Sequence, residues 1–142
     1  MLAIALSCIP LPLIAQAVAE QVVTVTLQDS SGDPSISGMV MKTDAPRVKA
    51  GRVTLQAINK SKQLVHEVLV VPAPVAGKEL PYDRKNDRVI EKRIHSLGEI
   101  SDLKPGARGK LTLSLRPGAY LLLCNQPGHY KSGMRTELVV EK

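Results

Sequence analysis

Apolar and polar residues alternate over several short stretches of this chain. Val22-Val23-Thr24-Val25-Thr26-Leu27 is β-branched and close to strict alternation, and it runs into Gln28-Asp29-Ser30-Ser31-Gly32-Asp33-Pro34, a cluster of turn formers. Arg52-Val53-Thr54-Leu55-Gln56-Ala57 alternates after Gly51, and Lys110-Leu111-Thr112-Leu113-Ser114-Leu115 alternates between Pro105-Gly106 and Pro117-Gly118. His66 to Val71 is instead a short apolar run closed by Pro72 and Pro74. With Ala119 to Cys124 and Thr136 to Val140 these make a set of short strands punctuated by Gly and Pro. The pattern predicts an all-β chain, a β-sandwich or barrel, without internal repeats.

One stretch breaks the pattern. Between Pro81 and Ser96, Asp83, Asp87 and Glu91 recur every four residues beside Arg84, Arg88 and Lys92. On a helix these become adjacent stripes of opposite charge, with Arg84 to Asp87 and Arg88 to Glu91 at i,i+3 and Ile90 with Ile94 on an apolar side. A short helical or irregular insertion around residues 81–95 is therefore expected, its charges read as a solvated face rather than a docking surface.

The first nineteen residues carry no charged side chain and end in Ala17-Val18-Ala19 before Glu20, which reads as a signal peptide over residues 1–19 and a single domain over 20–142. The positive n-region is missing, and Pro10, Pro12 and Gln16 interrupt the apolar stretch, so a misplaced start codon and a retained membrane anchor are the alternatives. Export to the periplasm or beyond is the expectation, with membrane contact only if the segment stays attached. Cleavage removes Cys8 and leaves Cys124 as a lone thiol where thiols are normally paired or oxidised.

Composition narrows the function. The chain has 142 residues, 44% hydrophobic and 23% charged, enough for one folded core. It carries a formal charge of +6, yet has three Tyr, no Phe and no Trp, so the stacking platforms that grip single-stranded nucleic acid are absent and no nucleic-acid partner is expected.

Chemistry concentrates in Cys124-Asn125-Gln126-Pro127-Gly128-His129-Tyr130-Lys131-Ser132-Gly133-Met134, between two predicted strands. A thiolate, an imidazole and a thioether lie within one loop that Pro127-Gly128 allows to turn, so it can aim three donors at one point. Two histidines, a cysteine and a weak axial methionine form the donor set of a blue-copper electron-transfer site, which requires one more histidine. His66 opens an apolar strand able to lie beside the one ending at Cys124; His95 follows the charged segment, where a surface histidine is ordinary. The metal ligands expected are His66, Cys124, His129 and Met134. Zinc fits less well, because structural zinc takes four strong nitrogen or sulfur donors and a thioether is not one.

The Cys-x4-His-x4-Met spacing, preceded by Pro117-Gly118-Ala119-Tyr120-Leu121-Leu122-Leu123 and followed by Thr136-Glu137-Leu138-Val139-Val140, resembles the C-terminal half of a cupredoxin, a small blue copper protein. Upstream, Val48-Lys49-Ala50-Gly51-Arg52-Val53-Thr54 resembles the strand leading towards the first ligand, and His66-Glu67 stands where bacterial sulfocyanin-like and plastocyanin-like cupredoxins place it. The resemblance implies a Greek-key sandwich and one type 1 copper per chain. Two departures accompany it. Glu67 stands where many members have an Asn that ties two loops, and the stretch 73–96 matches no motif.

The function implied is that of an exported, monomeric one-electron carrier, not an enzyme, with His129 as the electron port and a redox partner protein bearing an acidic docking face. The alternative is a protein that stores or delivers copper through the same ligands. A cysteine enzyme using Cys124 with His129 or His66 as base lacks an oxyanion motif and leaves Met134 without a role.

Overall fold

The computed structural model describes residues 20–35, 37–75 and 78–142; the expected signal peptide and Cys8 lie outside them. Eleven strands form among the described residues: β1 (Gln21–Asp29), β2 (Met39–Thr43), β3 (Arg47–Lys49), β4 (Gly51–Asn59), β5 (His66–Pro72), β6 (Tyr82–Asp83), β7 (Arg88–Val89), β8 (Gly98–Leu103), β9 (Arg108–Leu115), β10 (Gly118–Leu123) and β11 (Arg135–Glu141). One sheet runs β2-β1-β4-β9, and the facing sheet runs β3-β11-β10-β5-β8. The chain changes sheet from β2 to β3, from β3 to β4, from β4 to β5, from β8 to β9 and from β9 to β10, as a Greek-key sandwich requires. The predicted β-sandwich is the fold observed.

Period-two alternation sets the core. Val23, Val25 and Leu27 of β1 and Val53, Leu55 and Ala57 of β4 are fully buried, and they meet Val68, Val70, Leu122, Leu138 and Val140 of the other sheet. Aliphatic side chains and Tyr120 fill this space without Phe or Trp.

The strand β5 behaves differently. Its residues from Val68 to Val71 are all buried, because Val68 and Val70 face the sandwich core while Leu69 and Val71 join a second cluster with Leu80, Val89, Leu123 and Tyr130. The chain between β5 and β8 folds over the outer face of β5 and β10, so both faces of β5 are dry. That is why its sequence reads as a continuous apolar run instead of an alternation.

Of the helical and irregular readings of residues 81–95, this covering segment takes the irregular one. Tyr82 pairs with Val89 and Asp83 with Arg88 in an antiparallel hairpin, followed by a single 3₁₀ turn over Glu91–Arg93. The Asp83 carboxylate accepts the backbone N–H groups of Lys85 and Asn86 at 2.9 and 3.2 Å, which bends the chain into a turn where a helix would have continued. Neither Arg84 with Asp87 nor Arg88 with Glu91 occurs among the ion pairs of the described residues. The regular charge spacing reflected turn chemistry, not a helical stripe.

Candidate metal centre

Antiparallel pairing of β5 with β10 sets Leu69 opposite Leu123 and Val70 opposite Leu122. Alternation then carries His66, Val68 and Val70 to one face of the sheet, the face that also receives Leu122 and Cys124. His66 and Cys124 therefore reach the same end of the core from neighbouring strands. Buried Asn59 secures the approach to His66: its amide donates to the carbonyls of Leu64 and Leu103, each at 2.8 Å.

The loop after Cys124 is closed by its own backbone. Cys124 N–H donates to the Met134 carbonyl at 3.0 Å, and Met134 N–H donates to the His129 carbonyl at 3.0 Å. His129 N–H donates to the Gln126 carbonyl, also at 3.0 Å, across a turn with Pro127 at its second position and Gly128 at its third. Gly128 sits at φ +81°, the left-handed conformation a type II turn demands there. A Cβ at this position would also meet the Asp87 carboxylate at 3.1 Å, while the Gly128 N–H donates to the Asp87 carbonyl at 2.8 Å. The hairpin thus grips the ligand loop at its turn.

Three donor atoms converge. His66 Nδ1 lies 3.2 Å from His129 Nδ1, and Cys124 Sγ lies 3.4 Å from His129 Nδ1 and 4.0 Å from His66 Nδ1. Metal–nitrogen lengths of about 2.0 Å and a metal–sulfur length of about 2.3 Å in a trigonal plane require nitrogens about 3.5 Å apart and sulfur about 3.7 Å from each, so the three separations of 3.2, 3.4 and 4.0 Å agree to within about 0.3 Å. Among the described residues, His66, Cys124 and His129 are the one His, Cys and carboxylate grouping able to hold a metal ion. Met134 is fully buried in the same core cluster as Cys124. His95, the histidine set aside from the sequence, is exposed beyond the 3₁₀ turn. The donor set and its spacing fit one type 1 copper.

Burial tunes these groups towards metal binding. It lowers the pKa of His129 to about 4, helped by the neighbouring His66, and it lowers that of His66 against the opposing pull of Asp29. Burial thus favours the neutral form of both rings, the form that ligates. Burial pushes the Cys124 thiol up to about 11, although N–H groups of Gln126 and Glu67 favour the thiolate. A bound metal cation would displace that proton and leave the thiolate as ligand.

Of two residues around the ligands, Glu67 was singled out in the sequence and Asp29 was not. Glu67 N–H donates to Cys124 Sγ at 3.4 Å, while its carboxylate accepts the Asn125 N–H at 2.9 Å and the Gln126 side-chain amide at 3.1 Å. The tie between the two ligand loops, in doubt while Glu67 replaced an expected Asn, is made by the carboxylate itself. Asp29, at the end of β1, contacts His66 Nε2 at 3.1 Å. Its signal was its phase: it continues the inward sequence Val23, Val25, Leu27 by one more step, and a carboxylate facing a core needs a partner.

No protein-family model matches the sequence, and no curated relative does. Solved structures do resemble it. Auracyanin from the photosynthetic bacterium Roseiflexus castenholzii superposes with a TM-score of 0.59 at 20% identity, over 89% of this chain and 100% of that one. Rusticyanin from Thiobacillus ferrooxidans gives a TM-score of 0.64 at 18% identity over 88% and 79% of the two chains, and auracyanin B gives 0.62 at 19% over 91% and 94%. These likenesses establish the cupredoxin fold that the Cys-His-Met loop led us to expect.

Proposed function

We propose that this protein is an exported one-electron carrier that holds a single copper ion with His66, Cys124 and His129 and a weak axial contact from Met134. The observation that carries the reading is the convergence of two neutral imidazole Nδ1 atoms and one thiol sulfur in a dry pocket at trigonal spacing. Likeness to auracyanin and rusticyanin supports it.

Bound copper would supply the Cu(II)/Cu(I) couple. The chain's own part is to hold the donors still. Cys124 is fixed by the strand behind it, by its backbone bond to Met134 and by the Glu67 N–H on its sulfur. His129 is fixed by the turn that Asp87 grips. A frame that already has the ligand geometry before metal binds changes little between oxidation states, which keeps the reorganisation cost of electron transfer low. His66 and Cys124 are sealed from solvent, whereas His129 retains 8% exposure, so its ring is the path by which an electron enters and leaves. No substrate-processing step is assigned to the chain.

The net positive charge favours a partner with an acidic face. A storage or delivery protein would use the same ligands, but burial of all three disfavours rapid exchange of the ion. Export rests on the apolar segment 1–19; no helix among the described residues is long and apolar enough to cross a membrane.

The test is a visible spectrum of the protein after addition of Cu(II). An intense thiolate-to-copper band that disappears in Cys124→Ser, with the sandwich intact by circular dichroism, is the expected result. A colourless wild-type protein with unchanged Cys124 reactivity defeats the reading.

A further inference from the structure

The second coordination layer holds a feature that the ligand motif does not contain. Asp29 is 4% exposed and lies on β1, in the sheet opposite the one that carries His66, so the contact of its Oδ2 with His66 Nε2 at 3.1 Å bridges the sandwich at the metal end. Its other oxygen, Oδ1, accepts the Ser31 backbone N–H at 2.8 Å and the Ser31 hydroxyl, which in turn meets the Ser61 hydroxyl at 3.0 Å. Both carboxylate oxygens are therefore used as acceptors, and His66 Nε2 must be the donor.

Resting on the copper reading above, we propose that Asp29 is a positioning residue for His66: its carboxylate fixes the imidazole as the Nε2–H tautomer, presents Nδ1 to the metal, and adds a buried negative charge that favours the oxidised ion. Three points support this. A metal-bound histidine is oriented by what its other nitrogen donates to, and a carboxylate is a stronger acceptor than a backbone carbonyl. Asp29 is itself held in place, because its Oδ1 accepts from the Ser31 backbone N–H and hydroxyl while its Oδ2 faces His66. The charge is also too deep for solvent ions to screen.

Asp29→Asn separates positioning from filling space, because the side chains have nearly the same shape. The Ser31 backbone N–H cannot reverse its role, so the amide oxygen of Asn turns to it and the amide nitrogen faces His66. His66 Nε2 must then accept, and its proton moves to Nδ1, the atom the metal requires bare. Nitrogen-15 NMR of the metal-free wild-type protein should find His66 protonated on Nε2. In Asp29→Asn the proton should appear on Nδ1, while Ser31→Ala should leave it on Nε2. After loading, Asp29→Asn should bind Cu(II) roughly 10- to 100-fold more weakly and Cu(I) less affected, which raises the potential by about 59 mV for each tenfold difference.

Because the tautomer is read without metal in the unaltered protein, the outcome does not depend on the variant folding. A chain that takes up no copper defeats the reading of the site as a whole. A chain that turns blue with His66 protonated on Nδ1, or whose potential Asp29→Asn leaves unchanged, overturns the role of Asp29 alone.

Discussion

Glu67 offers a quantitative test of how the ligand loop is held. Replacing it with Ala removes the acceptor for the Asn125 N–H at 2.9 Å and for the Gln126 amide at 3.1 Å, and leaves the Glu67 N–H to Cys124 Sγ in place. A hydrogen bond to a charged acceptor contributes about 1.5 to 3 kcal/mol, but this carboxylate is only half-buried, and burial already pushes its pKa up, so part of that gain offsets its own desolvation. The net loss works out at about 2 kcal/mol, most of it from the stranded Asn125 N–H. With an unfolding entropy of about 2.1 cal/mol/K per residue, a folded body of this size loses roughly 4 °C in Tm per kcal/mol, so metal-free Glu67→Ala should melt about 8 °C below wild type. Glu67→Gln should behave differently. Its oxygen can still accept from Asn125, its nitrogen forfeits the Gln126 contact, and the half-buried charge is gone, so its stability should stay within about 1 kcal/mol of wild type, or about 4 °C in Tm. Thermal melts and urea titrations of the three proteins decide the matter. If Glu67→Ala proves as stable as wild type, or Glu67→Gln falls as far as Glu67→Ala, the carboxylate is not what joins the two ligand loops.

The ligand assignment itself makes further claims. His66→Ala should lose the intense colour or leave a weak site, whereas His95→Ala should change neither colour nor affinity, and the reverse pattern would show that the wrong upstream histidine has been chosen. Met134→Gln should keep a coloured site with a lower reduction potential, since an amide oxygen favours Cu(II); voltammetry that finds no shift beside a large fall in Tm would assign Met134 to the core alone. Copper uptake should release one proton, so apparent affinity should rise about tenfold per pH unit from pH 6 to 9, with the thiol raised to about 11 and His129 lowered to about 4; a slope of two would show that an imidazole is still protonated there. Gly128→Ala, forced to φ +81° against the Asp87 carboxylate, should cost about 1 to 2 kcal/mol in a urea titration, and an unchanged midpoint would mean that the turn relaxes freely.

How much of this was legible in the sequence depended on where the physical signal lay. Six strands declared themselves because one face of each packs on the core, or, in β5, both faces are covered. The strand β8 did not, because it lies at the edge of its sheet and only Ile100 and Leu103 point inward, while Glu99, Ser101 and Asp102 are exposed. The three residues of β3 are too few to show a period. The hairpin around Asp83 left a helical and an irregular reading open because charges spaced by four satisfy a helical rule equally well; the turn formers Asp83, Asn86 and Asp87 favoured the second, and Asp87 takes φ +54°.

The ligand loop was legible because a thiol, an imidazole and a thioether within eleven residues is local information. What orients those ligands is not local. Asp29 meets His66 across 37 residues, and Glu67 meets Asn125 across 58. Each is an acid placed where the surrounding pattern calls for a neutral or apolar side chain: Asp29 on the inward phase of β1, Glu67 between a buried ligand and a buried strand. Nothing apolar nearby stabilises a carboxylate in such a position, so its partner had to come from a distant strand, and the parity of the strand tells on which side to look. A charged residue on the dry phase of a strand beside a suspected metal loop is thus a signal for a residue that orients a ligand. It identifies the place in the sequence, and only the sheet register identifies the partner.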